Sequence, residues 1–154
     1  MSGVGRLMPI SAVLDTNVLI SGLLVAEGYA ARLIDAWLDG RFELVTSLYQ
    51  VEEVLHVLSY PRIARRLTLT EDELTAFTNA LLTRATVTAG EFHLPGLTRD
   101  PKDDAIVACA VEGRVQFIVS GDRDLLVMEK FGAIVVLSPR EFSERLGAQM
   151  SGNE

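Results

Sequence analysis

Residues 12–20 of the chain read AVLDTNVLI, an apolar run that an aspartate and an asparagine interrupt. The residues before the aspartate, ISAVL, have the aliphatic and β-branched content of a short buried strand. Asp15 therefore falls where this strand ends. Because an isolated buried charge is costly, a carboxylate in that position needs partners. The stretch predicts a strand that leads directly into a polar or ionic site.

Strand-like and helix-like segments alternate along the rest of the chain. Further strands are predicted in RFELVTS, ATVTA, VQFIVS and AIVVL, and apolar residues recur at helical spacing in GYAARLIDAWLDG. Four helix starts carry capping signals: Ser47 with Gln50, Thr70 with Glu73, Asp100 with Pro101, and Ser138 with Pro139 and Glu141. Apolar strands that alternate with helices indicate a three-layer α/β/α fold with a central, mostly parallel sheet.

Length and composition fit a single folded domain. A chain of 154 residues, 49% hydrophobic and 23% charged, is large enough for a sizeable core and is unlike a disordered protein. The sequence contains no internal repeat that would indicate a repeat architecture. We expect residues 1–9 to be a flexible N-terminal extension, residues 10–147 to form one domain, and residues 148–154 to be a disordered tail.

The composition also bears on compartment and partners. No apolar run reaches the ~20 residues that a membrane-spanning helix needs, so we expect no membrane association. Cys109 is the single cysteine, which excludes an internal disulfide and favours the reducing cytoplasm. A formal charge of −7 argues against nucleic-acid binding through bulk positive charge. Any nucleic-acid binding must therefore be local.

Acidic residues are predicted to gather at one edge of the sheet. Asp15 ends the first strand, Asp122 follows the strand QFIVS, and the carboxyl ends of parallel strands meet at the same edge. Glu53 lies near the second turn of the helix that begins in SLYQ. Asp103, or its neighbour Asp104, lies in the first turn of the helix that begins in DPKDD. Four carboxylates from separate elements are thus expected to converge.

Such a cluster requires cations, because carboxylates that converge without counterions repel one another and take up protons. Oxygen ligands without paired His or Cys favour Mg²⁺ or Mn²⁺ over Zn²⁺, and one or two such ions serve displacement at phosphorus. The pattern predicts a metal-dependent phosphodiesterase. Each acid alone has a simpler explanation: Asp103 stabilises a helix terminus, Asp122 and Asp124 shape the turn SGDRD, and Glu53 lies on a helix surface.

Four stretches, in this order, resemble the PIN domain, a fold of metal-dependent ribonucleases: VLDTNVLIS, SLYQVEEVLHVL, RDPKDDAIVACAVEG and FIVSGDRDLL. The resemblance runs from about residue 12 to residue 146. It implies that residues 10–147 are a PIN-like nuclease domain and that the protein is an endoribonuclease with bound Mg²⁺ or Mn²⁺. Bacterial members of the family are mostly toxins of toxin-antitoxin pairs. The resemblance therefore also implies a homodimer that a cognate antitoxin holds inactive.

The same resemblance implies roles for individual residues. Seven of them match the family's site pattern: Asp15, Glu53, Asp103 and Asp122 as the catalytic and metal-binding quartet, Asp124 as an auxiliary ligand, and Asn17 and Ser120 as supporting polar residues. Counting back from ACA favours Asp103 in the KDD motif, with Asp104 open as the alternative. A water whose pKa the metal lowers would attack the phosphodiester in line, so no protein nucleophile is needed.

Positive charge for an RNA backbone is available in two places. The segment YPRIARRLTL is predicted to place Arg62, Arg65 and Arg66 on one helical face, which an ordinary solvated helix explains equally well. Lys102 and Arg123 adjoin the acidic motifs and are candidates for phosphate contact. Aromatic residues make up only 6% of the chain, so base stacking is expected to contribute little to sequence choice.

Three other classes of protein are alternatives. A receiver-like, Mg²⁺-binding α/β regulatory domain needs an acidic pair before the first helix and a lysine after the last strands. This chain has Asp15-Thr16-Asn17 in the first place and VVLSPRE, without lysine, in the second. A haloacid-dehalogenase-type phosphatase needs a second aspartate where this chain has Asn17. The other alternative is a non-catalytic binding protein with the same fold, which a complete acidic quartet disfavours.

Overall fold

Helices and strands alternate throughout the structure, a computed structural model that describes residues 9–152, with side chains to residue 148. The strands are β1 (Ser11–Leu14), β2 (Glu43–Ser47), β3 (Thr86–Thr88), β4 (Phe117–Val119), β5 (Lys130–Phe131) and β6 (Ile134–Leu137). The helices are α1 (Thr16–Leu24), α2 (Tyr29–Leu38), α3 (Leu48–Leu58), α4 (Pro61–Ala64), α5 (Glu71–Thr83), α6 (Pro101–Glu112), α7 (Arg123–Leu126) and α8 (Pro139–Gly152).

The strands form one six-stranded sheet in the order β3-β2-β1-β4-β6-β5. Each pairing is parallel except that of β5 with β6. Leu14 at the end of β1 lies opposite Val119 at the end of β4. The chain leaves β1 toward β2 on one side and later enters β4 on the other, which opens a crevice at the carboxyl ends of these two strands. The predicted α/β fold with a mostly parallel sheet is confirmed.

Apolar side chains cover both faces of the sheet. Ala12 and Leu14 of β1 belong to a core that α1, α2, α3, α5 and α8 share, while Val13 belongs to the core beneath α6 and α7. In the first core, Trp37 packs edge-on against Phe77 with 6.3 Å between the ring centroids. Burial on both faces explains why the central strands are continuously apolar.

Three elements were not expected from the sequence, namely α1, α7 and β5. Asp15 follows β1 directly, and α1 begins at the next residue, Thr16. The VLI of the opening stretch is therefore helical. Periodicity does not distinguish a short apolar strand from a buried helix, and here Val18, Leu19 and Ile20 are all buried. α7 has four residues and β5 has two, which is too short for a periodic pattern.

Two of the four predicted helix starts carry complete capping boxes: Thr70 with Glu73, and Ser138 with Glu141. In each of them, both side chains accept a hydrogen bond from the other residue's backbone N–H. The box predicted at Ser47 forms only in half. Ser47 Oγ accepts from the N–H of Gln50 at 3.1 Å, but the Gln50 side chain is engaged elsewhere.

The two ends of the chain were predicted to be a flexible extension and a disordered tail. The predicted N-terminal extension lies outside the described residues except for residue 9. Helix α8 runs to Gly152, so residues 148–152 have helical backbone where the sequence predicted a disordered tail. The reason is that a helix, once its first turn has formed, extends at little further cost. Residues 153 and 154 lie outside the described residues.

Within residues 9–152, no single helix is long and apolar enough to cross a membrane. α1 and α2 satisfy the length and composition criteria only as a pair, which is bent by 97°.

Candidate metal centre

Asp15 lies directly after β1 at the carboxyl end of the sheet, and only 6% of it is exposed. The hydroxyl of Ser120, which follows β4, donates to Asp15 Oδ2 at 2.7 Å. Burial raises the pKa of Asp15 above its ordinary value, and the Ser120 hydrogen bond and the nearby backbone N–H groups of Thr16 and Asn17 oppose that shift. The residue that follows β4 thus orients the carboxylate.

Asp122 lies in the turn after β4, and Asp124 lies in the first turn of α7. Ser120 Oγ accepts from the N–H of Asp122 at 2.9 Å, so one buried hydroxyl connects this turn with Asp15. Asp122 Oδ1 accepts from the N–H of Asp124 at 2.7 Å and caps α7. Asp124 Oδ1 pairs with the guanidinium of Arg99 at 2.7 Å. The two acids therefore have fixed positions relative to the end of β4.

Asp103, in the first turn of α6, is 5% exposed, and its Oδ2 atom is buried without a hydrogen-bond partner. Burial, together with repulsion from Asp122 and Asp15, raises the pKa of Asp103 to about 6. One carboxylate oxygen from each of Asp103, Asp122 and Asp124 lies within 4.8 Å of the other two. Carboxylate oxygens so close together, one of them buried and unpartnered, are unfavourable unless a cation binds between them. The arrangement fits a divalent cation.

Asp104, the adjacent residue, is engaged on the other side of α6. Its carboxylate accepts hydrogen bonds from the N–H of Gly96 at 3.1 Å, the N–H of Thr98 at 2.6 Å and the Thr98 hydroxyl at 2.8 Å. Burial acts to raise the pKa of Asp104, but these hydrogen bonds outweigh it and the pKa is lowered. Of the two acids in the KDD motif, Asp103 faces the other carboxylates, whereas Asp104 fastens the loop before α6.

Asp15, Glu53, Asp103 and Asp122 line one cavity of about 210 Å³, which we call the acidic cavity. Glu53 reaches it from α3, with 16% of its side chain exposed. Glu53 Oε1 pairs with Lys102 Nζ at 2.8 Å. Lys102 therefore neutralises Glu53, whereas Asp103 and Asp122 of the clustered aspartates line the same cavity without a basic partner among the described residues.

Of the other predicted site residues, some line this cavity and some do not. Asn17 is exposed and lines it. The basic residues predicted for RNA contact are all exposed: Arg62, Arg65, Arg66, Lys102 and Arg123. Of these, Lys102 lines the cavity. The expected helical face of three arginines is not formed, because α4 ends at Ala64 and two of the arginines follow it.

Gln50 is a site residue whose role the sequence did not reveal. It is 2% exposed and lines the acidic cavity. Its amide nitrogen donates to the carbonyl of Leu14, the last residue of β1, and its amide oxygen accepts from the Thr46 hydroxyl at 2.7 Å. These bonds join the start of α3, which carries Glu53, to the end of β1. The available signal was the spacing of three residues between Gln50 and Glu53, which places both on one helix face.

We expect Gln50→Leu to lower the free energy of unfolding by about 1–3 kcal/mol, because it leaves a buried carbonyl and hydroxyl unpaired. It should also weaken Mn²⁺ binding, since α3 loses its connection to β1. Urea unfolding and a Mn²⁺ titration measure the two effects. The control is Asn79→Leu, which also replaces an amide side chain by leucine, but at an exposed position of α5. A Gln50→Leu variant as stable as the control would contradict this role.

The family model described as the PIN domain matches residues 11–124, most of the chain. This chain belongs to the PIN domain family. The match includes each acid of the acidic cavity. PIN domains are generally nucleases, and they typically bind divalent metals.

Solved structures resemble this chain at low sequence identity. The VapBC2 complex from Rickettsia felis, bound to a DNA fragment from its promoter, contains a chain that is 14% identical with a TM-score of 0.55. The match covers 84% of this PIN domain protein and 98% of that chain. FitAcB from Neisseria gonorrhoeae is 18% identical with a TM-score of 0.45, covering 83% and 97% of the two chains. No curated protein sequence matches at a significant level.

Proposed function

We propose that this PIN domain is a metal-dependent endoribonuclease that hydrolyses RNA phosphodiester bonds. The observation that carries the proposal is the acidic cavity, where four carboxylates meet and a buried oxygen of Asp103 has no hydrogen-bond partner. Ligands that are all carboxylate oxygens favour Mg²⁺ or Mn²⁺. The nuclease character of the family supports a phosphodiester substrate, and the resemblance of the four motifs to PIN ribonucleases supports RNA.

Asp103, Asp122 and Asp124 would hold one cation, because an oxygen of each lies within 4.8 Å of the others. Asp15 and Glu53 would complete the ligand set, with Glu53 released from Lys102. A bound cation would lower the pKa of the attacking water and stabilise charge on the leaving oxygen.

The chain's own side chains would prepare and position this chemistry. Ser120 keeps the Asp15 carboxylate oriented toward the cavity. Lys102, once released from Glu53, would contact an RNA phosphate at the mouth of the cavity. Arg123, exposed in α7 beside Asp122, would contact the next part of the backbone. Arg62, Arg65 and Arg66 would extend the phosphate contacts along the surface: all three are exposed.

We further propose that the protein is the toxin of a bacterial type II toxin-antitoxin pair. In this proposal residues 10–147 form a single nuclease domain, which acts in the cytoplasm as a homodimer until a cognate antitoxin binds. The resemblance of the motifs to bacterial PIN toxins supports the proposal. The single cysteine fits the reducing compartment.

Cleavage of a labelled pool of single-stranded RNA tests the proposed activity. We expect the purified protein to cut the pool with Mn²⁺ or Mg²⁺ and to lose this activity in EDTA, because the acids bind substrate only through the cation. A single-stranded DNA pool of the same sequences is the control for substrate class. Cutting that persists in EDTA, or no cutting by a folded protein that binds Mn²⁺, would contradict the proposal.

A further inference from the structure

A second cavity of about 580 Å³ lies beside the acidic cavity, between α3, α6 and the loop that precedes α6. Tyr49 of α3 and Phe92 of the loop line it, and both are solvent-accessible, with 53% and 40% of the residue exposed. Ala105 and Ala108 of α6 line it with small side chains. We call this space the aromatic groove. Its volume lies in the ~300–1,000 Å³ range of small-molecule sites.

The groove is continuous with the acidic cavity. Tyr49, Ala105 and Ser47 line both spaces. A nucleotide with its phosphate beside the carboxylates therefore has its base within reach of the groove. Tyr49 lies at the boundary, where the ring face of a tyrosine can stack on a base.

The charges along the groove exclude a phosphate. Among the described residues that line it, none is lysine or arginine, and the acids are Asp104 and Glu112. Asp104 is committed to the loop at Gly96 and Thr98. The Glu112 carboxylate faces the backbone N–H groups of the loop at 3.4 Å. An anionic group would meet two acids without a cation, so a neutral, planar group fits this groove best.

We propose that the aromatic groove binds the base of a nucleotide next to the scissile phosphate, with Tyr49 and Phe92 as stacking surfaces. This inference rests on the proposed action on RNA. The exposed His93 and the half-buried Thr88 at the wall supply hydrogen-bonding groups for the base edge. The low aromatic content predicted little base stacking, but two of the exposed aromatic residues, Tyr49 and Phe92, line this groove. Base stacking at the site depends on the position of the aromatic rings and not on their number in the chain.

Asp104 keeps the groove open in this arrangement. Its hydrogen bonds to Gly96 and Thr98 hold the end of the loop that carries Phe92. Gly96 has a φ of 76°, a left-handed conformation that other residues adopt at a cost. Adjacent acids of one motif would then serve one substrate in two ways, Asp103 at its phosphate and Asp104 by shaping the wall beside its base.

The test uses a short RNA that the wild-type protein cuts at one site, and versions in which either nucleotide flanking the cut is abasic. We expect one abasic version to lose about 5- to 140-fold in kcat/KM with the wild type, the range for a stacked base. Phe92→Ala and Tyr49→Ala should lose activity on the intact RNA and lose little more on the abasic RNA. This non-additivity reports a shared contact, which a change in stability alone does not produce.

Two further variants sharpen the comparison. Phe92→Tyr, which keeps an aromatic ring, should restore the abasic penalty. Tyr29→Ala removes a tyrosine of α2 that is 40% exposed and does not line the groove, so it should behave as the wild type. Equal abasic penalties in Phe92→Ala, Tyr49→Ala and the wild type would overturn the base subsite while the nuclease proposal stands. The same result together with lost antitoxin binding would assign the groove to a protein segment. Failure of the wild type to cut RNA would overturn both proposals.

Discussion

Asp15→Asn is expected to reduce metal-dependent RNA cleavage by on the order of a thousandfold or more, because a lost metal ligand removes several kcal/mol of transition-state stabilisation. The fold should survive. Asparagine has nearly the same shape, and its amide oxygen can still accept the hydrogen bond from Ser120. Burial raises the pKa of Asp15, so removing its charge also relieves a cost in the metal-free protein.

Asp35→Asn is the matched control for this experiment, since Asp35 is exposed on α2 and does not line the acidic cavity. Initial cleavage rates with Mn²⁺, circular dichroism and thermal unfolding should be measured for both variants. We expect the control to cleave at the wild-type rate. If Asp15→Asn kept more than a tenth of the wild-type activity, Asp15 would not be an essential ligand.

Asp103→Asn and Asp104→Asn are expected to change the stability of the metal-free protein in opposite directions at pH 7.5. Asp103→Asn should stabilise it by on the order of 1 kcal/mol, because it removes a buried charge that other acids repel. Asp104→Asn should lower the melting temperature, because the charged acceptor of three hydrogen bonds is lost. Mn²⁺ binding should fall strongly in Asp103→Asn.

The effect of Asp103→Asn should depend on pH in a defined way. The pKa of Asp103 is raised to about 6 in the folded protein, above the ~3.9 of an unfolded aspartate. Between these values the folded protein binds a proton that the unfolded chain does not, so the wild type loses stability as the pH rises from about 4 to 6. The advantage of the variant should therefore be full above pH 6 and absent below pH 4.

Denaturant unfolding in EDTA across this pH range measures the difference between the variant and the wild type directly. A difference that stays constant from pH 4 to pH 8 would show that ionisation of Asp103 does not govern its contribution. Destabilisation by both asparagine substitutions at pH 7.5 would show that Asp103 has partners in the folded protein. Either result would contradict the role proposed for its unpaired oxygen.

Much of the fold was predictable because its signals are local. The apolar strands, the helical spacing of α2 and the capping motifs at Thr70, Asp100 and Ser138 each lie within a few residues of the element they define. The alternation of these elements then limits the chain to a parallel sheet between helices. α1 was missed because a short buried helix and a short buried strand share one apolar pattern.

The edge where the acids meet was predictable for a similar reason. Asp15 and Asp122 follow strands of one parallel sheet, and strand ends meet at one edge whatever the detailed packing. The structure places both residues in the acidic cavity, and their part in metal binding stays a prediction. The arginine face was not predictable, since the length of α4 depends on how the segment after α3 packs.

Gln50 shows how tertiary contacts replace a local one. The sequence indicated a capping box in which its side chain would return to Ser47, but the β1 carbonyl at Leu14 is a competing acceptor. That carbonyl is 36 residues away in the chain, so no local pattern contains it. A buried acceptor without a partner is costly, and the Gln50 side chain supplies that partner to the Leu14 carbonyl, so the longer connection forms.

The sequence by itself determined the order of the longer strands and helices, without α1, α7 and β5, and the edge of the sheet at which Asp15 and Asp122 lie. Periodicity, caps and strand ends are properties of neighbouring residues. The tertiary structure decided which acid of KDD faces the others, where Gln50 binds, and that Tyr49 and Phe92 line one groove next to the acidic cavity. Adjacent residues on a helix point about 100° apart, so the docking of α6 on the sheet sends Asp103 inward and Asp104 to the loop. Docking is a sum of many long-range contacts, and no short stretch of sequence contains it.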